Sequence, residues 1–253
     1  MCDPARGLAP LGPPRSPTDE GSIAQEICTM FAAVAPRYDF LNHLLSLGFD
    51  IAWRRATAQA LREVLSRRGS VVADLCCGTG DLAFALARFS AGTVIGADFC
   101  HPMLQRAQRK ARGRSSVFFL EADTLALPFR DESLEAATLA FGFRNLANYA
   151  RGLQEMRRVL KPGGLLAILE FSQVRWPVFG PVFRFYSRRV LPRLGTWISG
   201  VPGPYKYLPD SVSRFPDQES LAAALRGAGF RNIRYIDFSG GVAALHLGEK
   251  GRR

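Results

Sequence analysis

The chain has 253 residues, 47% hydrophobic and 22% charged, which suits one large globular domain and is too mixed for a fibrous or disordered chain. A core of that size needs no disulfide or structural metal, and no apolar run reaches the roughly 20 residues of a spanning helix, which argues against an integral membrane protein. Lys and Arg exceed Asp and Glu by 33 − 22 = 11, an excess that attracts anionic partners such as nucleic acid, a phospholipid surface or an acidic substrate.

Residues 1–21 carry Pro4, Pro10, Pro13, Pro14 and Pro17 with little to bury, which predicts a disordered lead-in. They lack the apolar stretch of a cleaved secretory signal, so a cytoplasmic protein is expected. The five cysteines, including the adjacent Cys76 and Cys77, have no zinc spacing and read as free thiols. Over residues 22–68 the spacing of Ile23, Ile27, Met30, Phe31 and Val34, then Leu41, Leu44, Leu45 and Leu47, is helical. Pro36 and Gly48 divide this stretch into short helices, and the next helix is predicted over 51–68.

A different pattern begins at Ser70. Short apolar strands are predicted over 71–75, 93–99, 117–122, 134–141 and 165–171, alternating with helices over 81–88, 102–112 and 149–160. The last of these helices is stopped by Lys161-Pro162-Gly163-Gly164. A helix over 218–228 and strands over 233–238 and 242–247 follow. Strands apolar on both sides and alternating with helices imply an α/β fold, a parallel sheet covered on both faces. The organisation is one domain over 22–250, with a helical cover at 22–68 and a lid or insertion at 173–215. Residues 173–209 contain no Asp or Glu, and interleave Arg175, Arg184, Arg188, Arg189 and Arg193 with aromatics such as Trp176, Phe183, Tyr186 and Trp197. Such a segment suits an anionic membrane interface, or a helical lid with a solvated basic face.

Asp74-Leu75-Cys76-Cys77-Gly78-Thr79-Gly80-Asp81 is a strand running through a glycine turn into a helix, where the backbone can approach a ligand and helix-start N–H groups are free. Gly78-x-Gly80-x-x-Ala83 also satisfies a loose dinucleotide fingerprint, so a nicotinamide enzyme is one reading. Asp98, about 20 residues on at the end of the next strand, can accept hydrogen bonds from ribose hydroxyls. Asp123 ends the third strand and is followed by Leu127-Pro128-Phe129. This ensemble, over about 70–171, resembles the seven-stranded, class I S-adenosylmethionine-dependent methyltransferases. The resemblance implies a mostly parallel, Rossmann-like sheet with helices on both faces, and an acid after the third strand that holds the adenine amino group.

Further segments look like the ubiquinone/menaquinone biosynthesis C-methyltransferases. These are Phe31-Ala-Ala-Val-Ala35-Pro36-x-Tyr38-Asp39-x-Leu41-Asn42, then Leu45-Ser46-Leu47-Gly48, Trp53-Arg54, Phe141-Gly142-Phe143-Arg144-Asn145 and Glu170-Phe171-Ser172. Tyr207-Leu208-Pro209-x-Ser211 and Gly241-Val242-x-x-Leu245-His246-x-Gly248 complete the set. The resemblance spans about 31–250. It implies S-adenosylmethionine as cofactor, contacted by Thr79, Asp98, Asp123 and Thr124, with Asp74, Gly78 and Gly80 in the turn and Ala140 at the end of the fourth strand, where the family often has Ser. It implies a polyprenylated quinol as substrate, demethylmenaquinol or the corresponding benzoquinol. A transient contact with an anionic membrane surface is expected, with the protein peripheral on the inner face of the cell membrane; a homo-oligomer is compatible with this reading.

Methylating a ring carbon requires an electron-rich ring. A quinol hydroxyl has a phenol-like pKa of about 10, so the site needs a proton acceptor and a group to stabilise the developing oxyanion. Arg144, at the carboxyl edge of the sheet, is the expected oxyanion contact, oriented by Asn145, with a loop-anchoring salt bridge as its alternative. Tyr38 and Asp39 are candidates in the cover, Asp39 as a proton acceptor, with capping or packing as their structural alternative. His246 is a candidate substrate contact, and His43 and His101 lesser ones. An RNA methyltransferase and a non-catalytic S-adenosylmethionine-binding protein remain as alternatives. No RNA-binding module is recognisable, so nucleic acid is not an expected partner.

Overall fold

The structure, a computed structural model, describes residues 17–113, 116–174 and 203–252, with isolated positions at 186, 189, 193, 196 and 197. Most of the basic aromatic insertion and the lead-in up to residue 16 lie outside the described residues.

The chain opens with α1 (Pro17–Val34), a 3-10 turn (Ala35–Arg37), α2 (Tyr38–Leu45), α3 (Phe49–Ala60) and α4 (Arg62–Leu65). Thus α1 starts at Pro17, inside the segment expected to be disordered. Glu20 explains the early start: it is buried, and accepts hydrogen bonds from Asn148 Nδ2 at 2.9 Å and Arg151 Nη1 at 3.1 Å. The single helix expected over 51–68 is instead two, interrupted at Leu61, whose ψ of 5° leaves the helical range.

The α/β part follows as β1 (Val71–Leu75), α5 (Asp81–Ala87), β2 (Thr93–Asp98), α6 (His101–Lys110), β3 (Val117–Glu121), β4 (Leu134–Ala140), α7 (Tyr149–Val159) and β5 (Leu160–Phe171). After these come α8 (Gly203–Arg214), α9 (Gln218–Gly227), β6 (Phe230–Phe238) and β7 (Ala243–Lys250). β5 begins at Leu160, earlier than Lys161-Pro162-Gly163-Gly164 suggests, because Leu160 pairs with Leu134 before a register shift carries Leu165 opposite Ala136. Such a bulge accommodates the Pro-Gly-Gly run within a strand.

The seven strands form one sheet in the order β3-β2-β1-β4-β5-β7-β6. β1 pairs in parallel with both β2 and β4, and β7 runs antiparallel between β5 and β6. Alternate strand residues feed two cores. Val72, Ala136, Ala167 and Leu245 pack with Trp53, Leu61, Leu65, Leu82 and Leu86 from α3 to α5. Ala73, Ala137, Leu139 and Ile168 pack with Leu153, Met156, Leu221 and Leu225 from α7 and α9. The period-two alternation of the strands therefore covers both faces of the sheet with helices, and burial of these side chains is its main source of stability.

Candidate active site

Chain direction through the sheet changes at β1. From β1 the chain steps to β2 and β3 on one side, while β4 and β5 lie on the other. Right-handed crossovers to opposite sides leave a crevice at the carboxyl ends of β1 and β4, the usual ligand position in open α/β sheets. A cavity opens there. Asp74, Cys76, Gly78 and Thr79 line it after β1, Asp98 and Cys100 after β2, Ala140, Phe141 and Asn145 after β4, and Phe31, Tyr38 and Arg54 from the cover.

The glycine turn has a steric reason. Gly80 has φ +85°, and a Cβ there would lie 2.8 Å from the Phe119 ring, so a side chain is excluded both by conformation and by contact. Asp98 secures the turn: Oδ2 accepts from the Gly78 amide at 2.7 Å and Oδ1 from the Cys100 amide at 2.8 Å. Burial raises the Asp98 pKa, opposed by those amides. Asp74 is 1% exposed and accepts from the Thr138 hydroxyl at 2.9 Å, while its Oδ2 has no hydrogen-bond partner. Burial pushes its pKa up to about 7, against the Thr138 hydrogen bond and the Arg54 charge. An unsatisfied buried carboxylate oxygen is costly, so this one fits a polar or cationic ligand group in the cavity.

Two neighbouring strand ends carry non-glycine residues in the left-handed region, Cys76 at φ 51° and Phe141 at φ 60°. They pack closely, since a Cβ on Gly142 would lie 2.4 Å from the Cys76 Cβ. Burial pushes the Cys76 thiol well up, although the residue is only half-buried at the cavity wall; this fits a small apolar wall residue and not a nucleophile. Thr124 is buried with its hydroxyl 3.3 Å from the Cys76 sulfur. Asp123 is exposed, and its Oδ1 accepts from the Leu125 amide at 2.8 Å. Neither lines the cavity, although the Ala122 amide bonds the Asp98 carbonyl at 3.0 Å and brings this segment beside the Asp98 wall.

Of the expected catalytic residues, Tyr38 and Asn145 line the cavity. Burial raises the Tyr38 pKa, so its hydroxyl stays protonated and serves as a donor. The Asn145 Oδ1 accepts from the Tyr207 hydroxyl at 3.0 Å. Asp39 stands outside the lining, accepting from the Thr79 hydroxyl at 2.5 Å and pairing with Lys110 at 3.0 Å. Arg144 is directed elsewhere than expected. Its guanidinium pairs with buried Glu170 at 2.7 Å and bonds the Phe141 carbonyl and the Ser211 hydroxyl, and it does not line the cavity. Glu170 also accepts from the Arg144 and Phe171 amides. The geometry therefore matches the loop-anchoring alternative: strand-end residues 26 positions apart hold the 141–145 turn.

The histidines also lie apart from the cavity lining. His246 is buried, donates from Nε2 to the Gln218 carbonyl oxygen at 2.9 Å, and lies tilted against the Tyr235 ring; burial lowers its pKa. As that oxygen can only accept, Nε2 carries the proton. His101 pairs with Glu121 at 2.7 Å on the surface.

Sequence reasoning missed a chain of ion pairs joining cover to turn. Lys110 contacts Asp81 at 2.5 Å, Asp39 at 3.0 Å and Thr79 at 3.3 Å. His43 lies 2.8 Å from Asp50 and 3.9 Å from Asp81. Asp50 in turn bonds Arg54, whose guanidinium stands over the Phe141 ring at 5.2 Å and lines the cavity. Burial opposes ionisation of Asp50, but Arg54, Ser46 and His43 outweigh it and lower its pKa. The i,i+4 spacing of Asp50 and Arg54 was a usable signal; nothing local announced Lys110. Among the described residues no His, Cys, Asp and Glu group could hold a metal ion.

Comparisons with known proteins agree with this geometry. Among solved structures, a SAM dependent methyltransferase from Aquifex aeolicus superposes with a TM-score of 0.57 at 20% identity, over 77% of this chain and 89% of that one. That likeness establishes the fold. Demethylmenaquinone methyltransferase of Thermus thermophilus is 51% identical over 223 residues, 87% of this chain and 100% of the relative. Ubiquinone/menaquinone biosynthesis C-methyltransferase UbiE of Geotalea uraniireducens is 40% identical over 238 residues, 92% of this chain and 98% of the relative. The model of the ubiE/COQ5 methyltransferase family matches residues 20–250, and the chain belongs to that family.

Proposed function

We propose that this protein methylates a ring carbon of a polyprenyl demethylmenaquinol, using S-adenosylmethionine as methyl donor. The observation that carries the reading is the pairing, in one cavity, of a strand-end carboxylate with one unpartnered oxygen beside a glycine turn with a buried cation on the opposite wall. The names of the relatives support a quinol acceptor, and the first of them the naphthoquinol.

The cofactor supplies an electrophilic methyl on a sulfonium. Asp74 Oδ2 would receive the cofactor's ammonium group and Asp98 its ribose, and the turn at Gly78 and Gly80 would allow close backbone approach. Ala140 extends that wall, and the segment carrying Asp123 and Thr124 lies beside it. On the acceptor side Arg54 puts a guanidinium at the cavity surface, and with the protonated Tyr38 hydroxyl it stabilises a developing quinolate oxygen. Arg144 is then a positioning residue: by fixing the Phe141 carbonyl and Glu170 it sets the turn that presents Asn145. Asp39 holds the cover on the turn through Thr79 and Lys110. Exclusion of water by Phe31, Tyr38 and Phe141 strengthens attraction between oxyanion and cation.

The test is transfer of labelled methyl from S-adenosylmethionine to a demethylnaphthoquinol and to the matching benzoquinol. Incorporation into the naphthoquinol that falls at least about tenfold in Arg54→Met is the expected result; preferential labelling of the benzoquinol overturns the choice of ring. A polyprenyl tail also requires access to a bilayer, and the acid-free stretch over 173–209 is one candidate contact. Charge reversal at Arg188 and Arg189 is expected to weaken flotation with anionic vesicles.

A further inference from the structure

The α2–α3 corner is apolar on the side that faces solvent. Leu41 and Leu45 of α2 are buried against Val34. Yet Phe40, Leu44 and Leu47, spaced at i, i+4 and i+7, are 61%, 40% and 80% exposed, and Phe49 and Ile51 at the start of α3 add 52% and 37%. A helix apolar on both its inner and outer faces has more than one apolar neighbour, and a contiguous exposed patch of this kind marks a contact surface.

The tip is also strained. Leu47 sits at φ 52°, directly before Gly48 at φ 76°. A leucine in the left-handed region costs stability where Gly or Asn would not, and its side chain, largely exposed, buries little in return. The charges indicate the occupant. Between Arg37 and Arg55 the only acids are Asp39 and Asp50, and both turn inward to ion pairs with Lys110 and with Arg54 and His43. The cations Arg37 and Arg55 at either end of this corner are exposed. Apolar side chains at a tip flanked by arginines, with acids withdrawn, complement the acyl boundary and anionic headgroups of a bilayer.

The corner is joined to the cavity. Phe49 stacks on Trp53 at 6.2 Å, Trp53 contacts Phe141 at 6.1 Å, and Phe141 lines the cavity together with Tyr38 of α2 and Arg54 of α3. We infer that the α2–α3 corner, led by Phe40, Leu47 and Phe49, inserts into an anionic lipid surface and presents the cavity mouth to a substrate held in the bilayer. The second half of this inference rests on the quinol reading; the first does not.

Flotation of the full chain with vesicles of phosphatidylcholine containing one third phosphatidylglycerol, without quinol or cofactor, reads the insertion alone. The double variant Phe40→Ser/Leu47→Asn is expected to lower the vesicle-bound fraction at least about tenfold. Its Tm should stay close to the parent's, since Asn is at ease in the left-handed region. Arg55→Glu should reduce binding to the anionic vesicles and leave binding to pure phosphatidylcholine unchanged. With a short-tailed quinol in buffer the double variant should turn over within twofold of the parent, while a long-tailed quinol in vesicles is methylated more slowly. Unchanged flotation of both variants, or a parent that floats with neither vesicle, overturns the inference. So does self-association that the double variant abolishes while flotation persists, which assigns the corner to a second copy. Methylation of no quinol at all, with flotation lost as expected, removes the quinol reading and leaves the lipid contact standing.

Discussion

The two walls of the cavity are built by different means. The wall carried by β1, β2 and β4 is made of strand ends locked into the sheet, with Asp98 tied to backbone amides and Glu170 of neighbouring β5 clamping Arg144 in near-complete burial. The opposite wall, the cover, packs into the core through Trp53 and Leu61 and is tied to the turn by side-chain ion pairs through Lys110, itself about one third exposed. Buried charge pairs are costly to break singly, whereas partly exposed ones exchange with water and are screened by salt. The rigid wall suits a fixed electrophile, and the exchangeable one suits a cover that must admit and release a bulky ring.

Removing one partner from the rigid wall should have the largest effect. Glu170→Ala strands the Arg144 guanidinium and is expected to cost about 3–5 kcal/mol, a fall in Tm of about 10 °C or more in a thermal melt; a melt within 2 °C of the parent contradicts the clamp. Next comes pH. Below about pH 4 both folded and unfolded chains hold the Asp74 proton, and between there and about pH 7 only the folded chain does. The unfolded state binds fewer protons in that window, so this residue's contribution to stability falls as pH rises. Asp74→Asn removes the dependence, and its stability relative to the parent should improve steadily from pH 4 to pH 7, by up to about 4 kcal/mol. Parallel stability curves for the two proteins would show that Asp74 is not held protonated.

On the exchangeable wall, Lys110→Met should lower stability by only about 1 kcal/mol. It should raise KM for the quinol severalfold, in a salt-dependent manner, with cofactor affinity from calorimetry changing less. Equal loss of both affinities would mean that cover and turn act as one unit. The smallest effect is expected for Arg67→Ala, which breaks an exposed i,i+4 pair with Glu63, at under about 0.5 kcal/mol by chemical denaturation.

Strand ends were the legible part of this protein. Val71–Leu75 is apolar apart from Asp74 and stops at a glycine turn, and Asp74, Asp98 and the 140–145 segment gather at one edge because parallel strands share a direction. Periodicity carries that information locally. It does not carry the partner of a charge. Glu170 lies 26 residues from Arg144, and Lys110 lies 71 from Asp39 and 29 from Asp81. Consequently Arg144 could be placed at the carboxyl edge from sequence, while its pairing with Glu170 could not be read there. The cover was legible as helices but not as an arrangement: Leu41 and Leu44 look alike in the sequence, and only packing shows that one is buried and the other turned outward.

The antiparallel strand has a consequence for biosynthesis. β7 is synthesised after β6 yet lies between β6 and β5, so as the nascent chain emerges β5 presents an unpaired hydrogen-bonding edge, with β6 unable to cover it. Only when the β6–β7 hairpin docks does that edge vanish. The interval before docking is when this protein is most exposed to aggregation, and when a chaperone would find most to hold.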